Sequence, residues 1–108
     1  MKTDGKIAIV QTTVSSEREA RMLAALILKN RLGACVQIAS IRSIYRWRGK
    51  NKSAKESLVS VKTGKNAAAT LMAFIKKHHP YELPEIITIN VKVDHDYAVW
   101  VAKETKCL

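Results

Sequence analysis

Apolar residues recur along this chain either at every second position, as in strands, or at every third or fourth position, as in helices. The changes from one spacing to the other predict seven elements of secondary structure. The first strand, residues 6–13, is apolar on both faces as far as Val10, which indicates a central position in a sheet. A helix follows, because Ser16 and Glu19 have the spacing of a capping box and precede an apolar stripe. Gly33 is the predicted left-handed stop of that helix.

The second predicted strand is long. It runs from Ala34 to Trp47, whereas a common strand has roughly five or six residues. Its apolar set changes phase after residues 39–40, and one extra residue in the strand would produce such a change, so we expect a β-bulge there. A basic turn at 48–52 forms the predicted hairpin tip, and a third strand returns over residues 56–63.

A second helix opens at residues 64–66 and carries apolar residues at i, i+3, i+4 and i+7. Continuing that stripe carries His78 and His79 toward the buried side of its last turn. Pro80 ends the helix, since proline lacks an N–H and disfavours helical backbone before it. After Pro84 every second residue is apolar. This spacing predicts a fourth strand with one apolar face, formed by Ile87, Ile89, Val91 and Val93.

The predicted order is β-α-β-β-α-β, followed by a C-terminal helix capped by Asp94. Because crossover connections are right-handed, two helices should pack on one face of a four-stranded antiparallel sheet. The fold class is therefore α+β, a ferredoxin-like sandwich forming a single domain over 1–108 with its core at about 6–105. The other sheet face lacks a cover, and the projecting hairpin carries Ile44, Tyr45 and Trp47, so we predict a homo-oligomer.

Composition supports a globular chain, since 47% of the 108 residues are hydrophobic. The longest apolar run, 22–28, is much shorter than the roughly 20 residues that span a bilayer. The N-terminal residues lack a signal-like pattern, so we expect a cytoplasmic protein without membrane association. Cys35 and Cys107 form no CxxC motif, and both are expected to be free thiols.

The formal net charge of +10 would attract polyanions, so nucleic acid is a candidate partner. Much of this charge clusters around the predicted hairpin tip, at Arg42, Arg46, Arg48, Lys50, Lys52 and Lys55. A solvated hairpin end explains such a cluster equally simply. The first and third strands lack aromatic residues for base stacking, so nucleic-acid binding is the least favoured binding function.

Residues 77–86 hold the densest candidate chemistry, with two imidazoles, one phenol and two carboxylates around two prolines. Imidazoles and carboxylates are metal ligands, and the same groups also form hydrogen bonds at structural corners. The spacing of residues along the chain identifies no nucleophile–base pair, so we expect a protein that is not an enzyme.

Several segments together resemble the CutA divalent-cation tolerance proteins. They are LGACV at 32–36, SIYRWRGK at 43–50, VKT at 61–63 and HPYELPEII at 79–87, followed by Tyr97 and Trp100. The resemblance extends from about residue 7 to residue 104. It implies a homotrimer in which the long hairpins pair strands between subunits, as in the PII signalling proteins.

The resemblance also implies a role in tolerance of divalent metals, with copper or another divalent ion as the expected ligand. Some bacterial members bind copper through a thiol at the end of the first strand and two histidines before the proline. The matching positions here are Thr12, His78 and His79. A hydroxyl is a much weaker ligand for copper(I) than a thiolate, whereas imidazoles are good ligands for copper(II) or zinc.

The charge also departs from the family pattern and leaves an alternative open, an anionic ligand or a protein partner in clefts between subunits. The net charge of +10 disfavours electrostatic capture of cations, and Arg48 stands where relatives often carry an acid. The candidate cleft residues are Tyr45, Trp47, Lys62, Tyr81, Glu82 and Glu85. Glu82 and Glu85 are interpreted as metal ligands or, preferably, as partners of basic side chains at the subunit boundary.

Overall fold

The computed structural model describes residues 5–105, which contain four strands and three α-helices; Cys107 lies outside the described residues. In chain order the elements are β1 (Gly5–Val14), α1 (Glu17–Lys29), β2 (Cys35–Trp47), β3 (Lys50–Thr63), α2 (Ala68–His78), β4 (Ile86–Val93) and α3 (His95–Glu104). A short 3-10 helix, Lys65–Ala67, precedes α2. The predicted order of elements is confirmed.

The strands form one antiparallel sheet in the order β2-β3-β1-β4. Helices α1 and α2 pack on one of its faces, which gives the predicted α+β ferredoxin-like arrangement. We call this side the helix-covered face. Its core consists of Val10, Val14, Ala20, Leu23, Ile27, Leu32, Val59, Val61, Leu71 and Ile75.

The expected β-bulge in β2 is absent. Cross-strand pairing with β3 runs without interruption from Cys35 opposite Lys62 to Trp47 opposite Lys50. The phase change has another cause. Up to Ile38 the partly buried apolar side chains pack against the helix-covered core, whereas beyond it Ile41 and Trp47 are partly buried on the opposite face. The positions of the apolar side chains along β2 therefore indicate which face of the strand is covered, and they switch where the covered face changes.

The hairpin turns at Arg48 and Gly49, whose φ angles are 51° and 79°. Two consecutive positive φ angles are typical of a type I′ turn, whose twist matches that of the flanking strands. The turn connects strands of 13 and 14 residues, so the hairpin extends well beyond the helices. The molecule is accordingly elongated, with extents of 46 × 27 × 21 Å.

The end of α1 corrects one prediction. Arg31, at φ 55°, adopts the left-handed conformation that was predicted for Gly33. The Leu32 and Arg31 N–H groups donate to Ile27 and Leu28 carbonyls in a Schellman pattern. Gly33 is needed for packing instead, because a Cβ there would lie 2.4 Å from a Val61 methyl.

The side-chain caps agree with the sequence patterns. Ser16 Oγ accepts from the Glu19 N–H at 3.1 Å at the start of α1. Asp94 accepts from the Tyr97 N–H at 3.3 Å at the start of α3. The C-terminus of α3 is tied to the end of α1, because the Arg31 guanidinium donates to the Lys103 carbonyl at 2.7 Å.

The sheet face opposite α1 and α2 is only partly covered, and we call it the open face. Helix α3 covers one end of it, where a Cβ on Gly5 would lie 2.6 Å from Ala98 Cβ. Farther along, β4 presents Ile87 and Ile89 with 41% and 42% of their surfaces exposed. Within residues 5–105, every helix is too short or too polar to cross a membrane.

Candidate functional site

The corner between α2 and β4 is built around His79. Helix α2 ends at His78, and His79 has extended backbone with φ −83° and ψ 134°. Its Nε2 lies 2.8 Å from the Thr13 carbonyl, and its Nδ1 accepts from the Tyr81 N–H at 3.1 Å. This pair of bonds requires the neutral tautomer with the proton on Nε2. The His79 ring therefore bonds to β1 through Nε2 and to Tyr81 of the corner through Nδ1.

His78 has a different environment from its neighbour. Its side chain is exposed, so the prediction that it faces the buried side of the last turn is wrong. The chain leaves the helical path after His78, and its ring packs beside Phe74 with centroids 4.4 Å apart. Within residues 5–105, neither nitrogen of this ring has a hydrogen-bond partner.

Both histidines border a shallow cleft of about 250 Å³ between α1 and the corner. The cleft also contains Glu19, whose carboxylate already accepts from Ser15 Oγ at 2.9 Å, and the exposed Met22 thioether. Sequence reasoning missed Met22 at this position, because only the packing of α1 beside the corner brings it there.

Thr12 does not complete a metal site with the two histidines. Its side chain is fully buried on the helix-covered face, opposite Val59 and Ile86, and its Oγ1 has no hydrogen-bond partner within the described residues. No group of three or more His, Cys, Asp or Glu side chains in residues 5–105 is arranged to hold a metal ion. The residues at these three positions therefore do not fit a preformed metal centre.

A second cleft, of about 450 Å³, lies on the open face between the hairpin and the corner. We call it the hairpin cleft. Its lining comprises Thr13, Ser43, Tyr45, Arg46, Trp47, Glu56, Tyr81, Glu82, Leu83 and Glu85. Five of the six residues predicted for a ligand cleft are thus brought together. The exception is Lys62, which donates to Gln37 elsewhere on the open face.

One hydrogen bond ties the corner to the floor of this cleft. The Tyr81 hydroxyl donates to a Glu56 carboxylate oxygen at 2.9 Å. Burial raises the pKa of Tyr81, and the bond to Glu56 raises it further. The phenol therefore stays protonated and keeps donating well above neutral pH. Glu56 was missed by sequence reasoning, because only the register of β2 and β3 shows which face it shares.

The rim of the hairpin cleft is closed by an ion pair between the hairpin tip and the corner. Arg48 Nη2 lies 3.1 Å from a Glu82 carboxylate oxygen, and both side chains are exposed. The guanidinium carbon also lies 5.5 Å from the centroid of the Trp47 ring. Glu82 therefore pairs with a basic side chain, as expected, although its partner belongs to the same chain.

Comparisons with known proteins agree with this fold. The family model described as "CutA1 divalent ion tolerance protein" matches residues 8–104. The chain belongs to the CutA1 family. This membership supports a role in divalent-cation tolerance and confirms the resemblance that the sequence motifs indicated.

Two CutA relatives match over nearly their whole lengths. The divalent-cation tolerance protein CutA of Thermus thermophilus is 37% identical over 99 residues, covering 90% of this chain and 96% of the relative. The Pyrococcus horikoshii protein of the same name is 38% identical, with 91% and 97% covered. The structure of CutA from Synechococcus elongatus superposes with a TM-score of 0.90 at 31% identity, covering 97% and 95%.

Proposed function

We propose that this CutA1 family member serves divalent-cation tolerance as a homotrimeric binding protein with a signalling role. The observation that carries the proposal is the family match over residues 8–104. Binding is favoured over catalysis because the candidate acid–base groups are already engaged. His79 uses both ring nitrogens at the corner, and Glu56 accepts the Tyr81 hydroxyl. The cytoplasmic location stays a prediction.

The trimer is supported by the shape of the chain. The hairpin projects from the helices, and both β2 and β4 are edge strands whose outer backbone groups can pair with another chain. The open face presents Ile87 and Ile89, and the hairpin presents Ile44 with 76% of its surface exposed. Three copies that pack their open faces would bury Ile87 and Ile89, and pairing of the hairpin with a neighbouring copy would help to cover Ile44.

Direct contact with copper(II) or another divalent ion is proposed to occur mainly through His78. Its imidazole is exposed and unpaired within residues 5–105, and it shares a shallow cleft with Glu19 and Met22. Imidazole suits copper(II) and zinc, and a thioether suits copper(I). His79 would have to release Thr13 or Tyr81 before it could bind an ion.

Isothermal titration with copper(II) chloride tests this assignment. We expect His78→Ala to weaken binding at least tenfold and His79→Ala to retain it in the molecules that remain folded. His95→Ala is the matched control, because it removes one imidazole from α3, away from the corner. Unchanged copper(II) affinity in His78→Ala would refute the assignment.

A further inference from the structure

Helices α1 and α2 present an outer surface on the side of the molecule opposite to the open face. The helices bury Leu23 and Ile27 of α1 and Leu71 and Ile75 of α2 on the sheet side. Packing of the open faces in the proposed trimer would leave the outer surface of the helices in contact with solvent. This surface is therefore available to a further molecule, whichever contacts the subunits make with one another.

One flank of α1 combines apolar and basic side chains. Arg18, Met22 and Leu26 follow one another at intervals of four residues. Lys29 comes three residues after Leu26, so all four side chains lie along one face of the helix. Met22 and Leu26 are 58% and 40% exposed, whereas Leu23 between them is buried. Helix α1 therefore presents an exposed apolar strip with a basic residue at each end, and helix geometry makes the strip roughly 16 Å long.

The neighbouring flank of α2 is also apolar and basic. Phe74 packs against the core, and its ring centroid lies 4.4 Å from that of His78, one turn later. His78 shares the cleft of about 250 Å³ with Met22 and Leu26, so the two flanks border the same groove. Lys77 follows Phe74 by three residues and extends this flank. We call the surface formed by Met22, Leu26, Phe74 and His78 the helix groove.

The charge around the helix groove is basic. Helices α1 and α2 together carry five Lys and Arg residues and two Glu residues. Both acids are engaged, because Glu17 forms an ion pair within α1 and Glu19 accepts from Ser15 Oγ. Lys29 and Lys77 form no ion pair within residues 5–105. The positive charge beside the groove is therefore available to an acidic partner.

Shape and charge together distinguish between the possible occupants of the helix groove. A second copy of this chain would bring the same basic helices, and like charges repel. A lipid bilayer is flat, whereas Met22 and Leu26 line a concave cleft. An amphipathic helix inserts side chains spaced three or four residues apart into such a groove. Acidic residues on the flanks of that helix would lie beside Lys29 and Lys77.

We propose that the helix groove docks an acidic amphipathic helical segment of a partner protein. The apolar face of that segment packs on Met22, Leu26 and Phe74, and its carboxylates pair with Lys29 and Lys77. The proposal names a partner class for the proposed signalling role and in that respect rests on it. It requires no bound metal ion.

A peptide of about 15 residues tests this docking surface, with leucine at every third or fourth position and glutamate or alanine elsewhere. A scrambled peptide of the same composition keeps the charge but loses the apolar face. The chain has three methionines, so NMR of the full chain with labelled methionine methyl groups gives few signals, and Met22→Leu assigns that of Met22. We expect the peptide to shift the Met22 signal saturably. The signal of Met72, which packs against the core, should stay unchanged.

Two matched pairs of variants locate the bound peptide. Leu26→Glu should weaken peptide binding about tenfold, because it places a like charge in the groove. Leu28→Glu is its control, since Leu28 has similar exposure but lies two residues away, on the other side of α1. Lys77→Glu should weaken binding about fivefold. Lys76→Glu is the second control, because Lys76 lies two residues from Phe74, on the other side of α2, and each control should weaken binding less than about twofold.

Circular dichroism and native mass spectrometry verify that each variant keeps the fold and assembly of the wild type. Equal weakening by the two members of either pair would overturn the proposal, as would a scrambled peptide that binds as tightly. The absence of a Met22 shift at 1 mM peptide, roughly tenfold above a Kd of 0.1 mM, would also overturn it. Phosphatidylserine vesicles that broaden the Met22 signal, without any shift from the peptide, would identify a lipid-binding surface instead. All titrations contain EDTA, so failure here leaves copper(II) binding at His78 to its own test.

Discussion

The two faces of the sheet differ in how much of their apolar surface a single chain buries. On the helix-covered face, Val10, Val59 and Val61 expose none of their surface. On the open face, Ile87 and Ile89 keep about two fifths of theirs, and the hairpin cleft lies beside them. The helix-covered face therefore stabilises the subunit, whereas the open face remains available for another subunit. Substitutions on the two faces should consequently affect different measurements.

The largest loss of stability should come from the helix-covered core. Leu71→Ala removes a fully buried side chain and leaves a cavity, so we expect the free energy of unfolding to fall by about 3 kcal/mol. Urea denaturation at fixed protein concentration measures it. Met22→Ala, at a side chain that is 58% exposed, should cost less than about 1 kcal/mol. Similar losses in both variants would contradict the assigned core.

The corner joins the two faces, and its neighbouring histidines should differ in their effect on stability. His79→Ala leaves the Thr13 carbonyl and the Tyr81 N–H without their partner, so we expect a loss of about 2 kcal/mol. His78→Ala removes an exposed ring and should cost less than about 0.5 kcal/mol. Urea denaturation compares them. A larger loss for His78→Ala would show that the structural roles are reversed.

The hydrogen bond between Tyr81 and Glu56 should make a smaller, pH-dependent contribution. Tyr81→Phe should reduce the free energy of unfolding by about 1 kcal/mol near neutral pH. Folding raises the pKa of this phenol, so its stabilisation is present below the unfolded value of about 10 and is lost as pH rises through the folded value.

Urea denaturation between pH 8 and pH 11, a range that brackets the ordinary tyrosine pKa of about 10, measures this contribution. We expect wild-type stability to fall more steeply than that of Tyr81→Phe as the pH rises through the upper part of this range. Parallel pH profiles for the two proteins would be evidence against the linkage between Tyr81 ionisation and folding.

The smallest effect on stability is expected at the hairpin tip. Arg48→Asn removes an exposed ion pair and places at φ 51° a residue that tolerates this conformation. The free energy of unfolding should change by less than about 0.5 kcal/mol in thermal or urea denaturation. A loss of several times that size would mean that the Arg48–Glu82 pair has a structural role, and not only a role at the cleft rim.

Much of the fold could be predicted, because hydrophobic spacing reports burial directly. The order of elements and the caps at Ser16 and Asp94 depended on local patterns and were correct. The predicted bulge in β2 was wrong, because an apolar phase change reflects covering of the opposite face as well as an extra residue. The assignment of Gly33 failed for a related reason, since glycine serves close packing as well as left-handed turns.

The candidate site was less predictable, because its residues meet through tertiary structure. Tyr45 and Tyr81 were identified by their motifs, and both line the hairpin cleft. Lys62 carries the right charge for an anionic ligand but lies outside the cleft, and Glu56 was not considered. Only strand register and the direction of the corner show which side chains converge.

The central claim is that the open face is a binding face. Native mass spectrometry of the wild type and of Ile89→Glu, with far-UV circular dichroism of both, tests it most directly. We predict a wild-type mass three times the 12.1 kDa of the chain, and a variant that dissociates while keeping its secondary structure. A wild-type mass of 12.1 kDa, or an Ile89→Glu trimer as stable as the wild type, would contradict the claim.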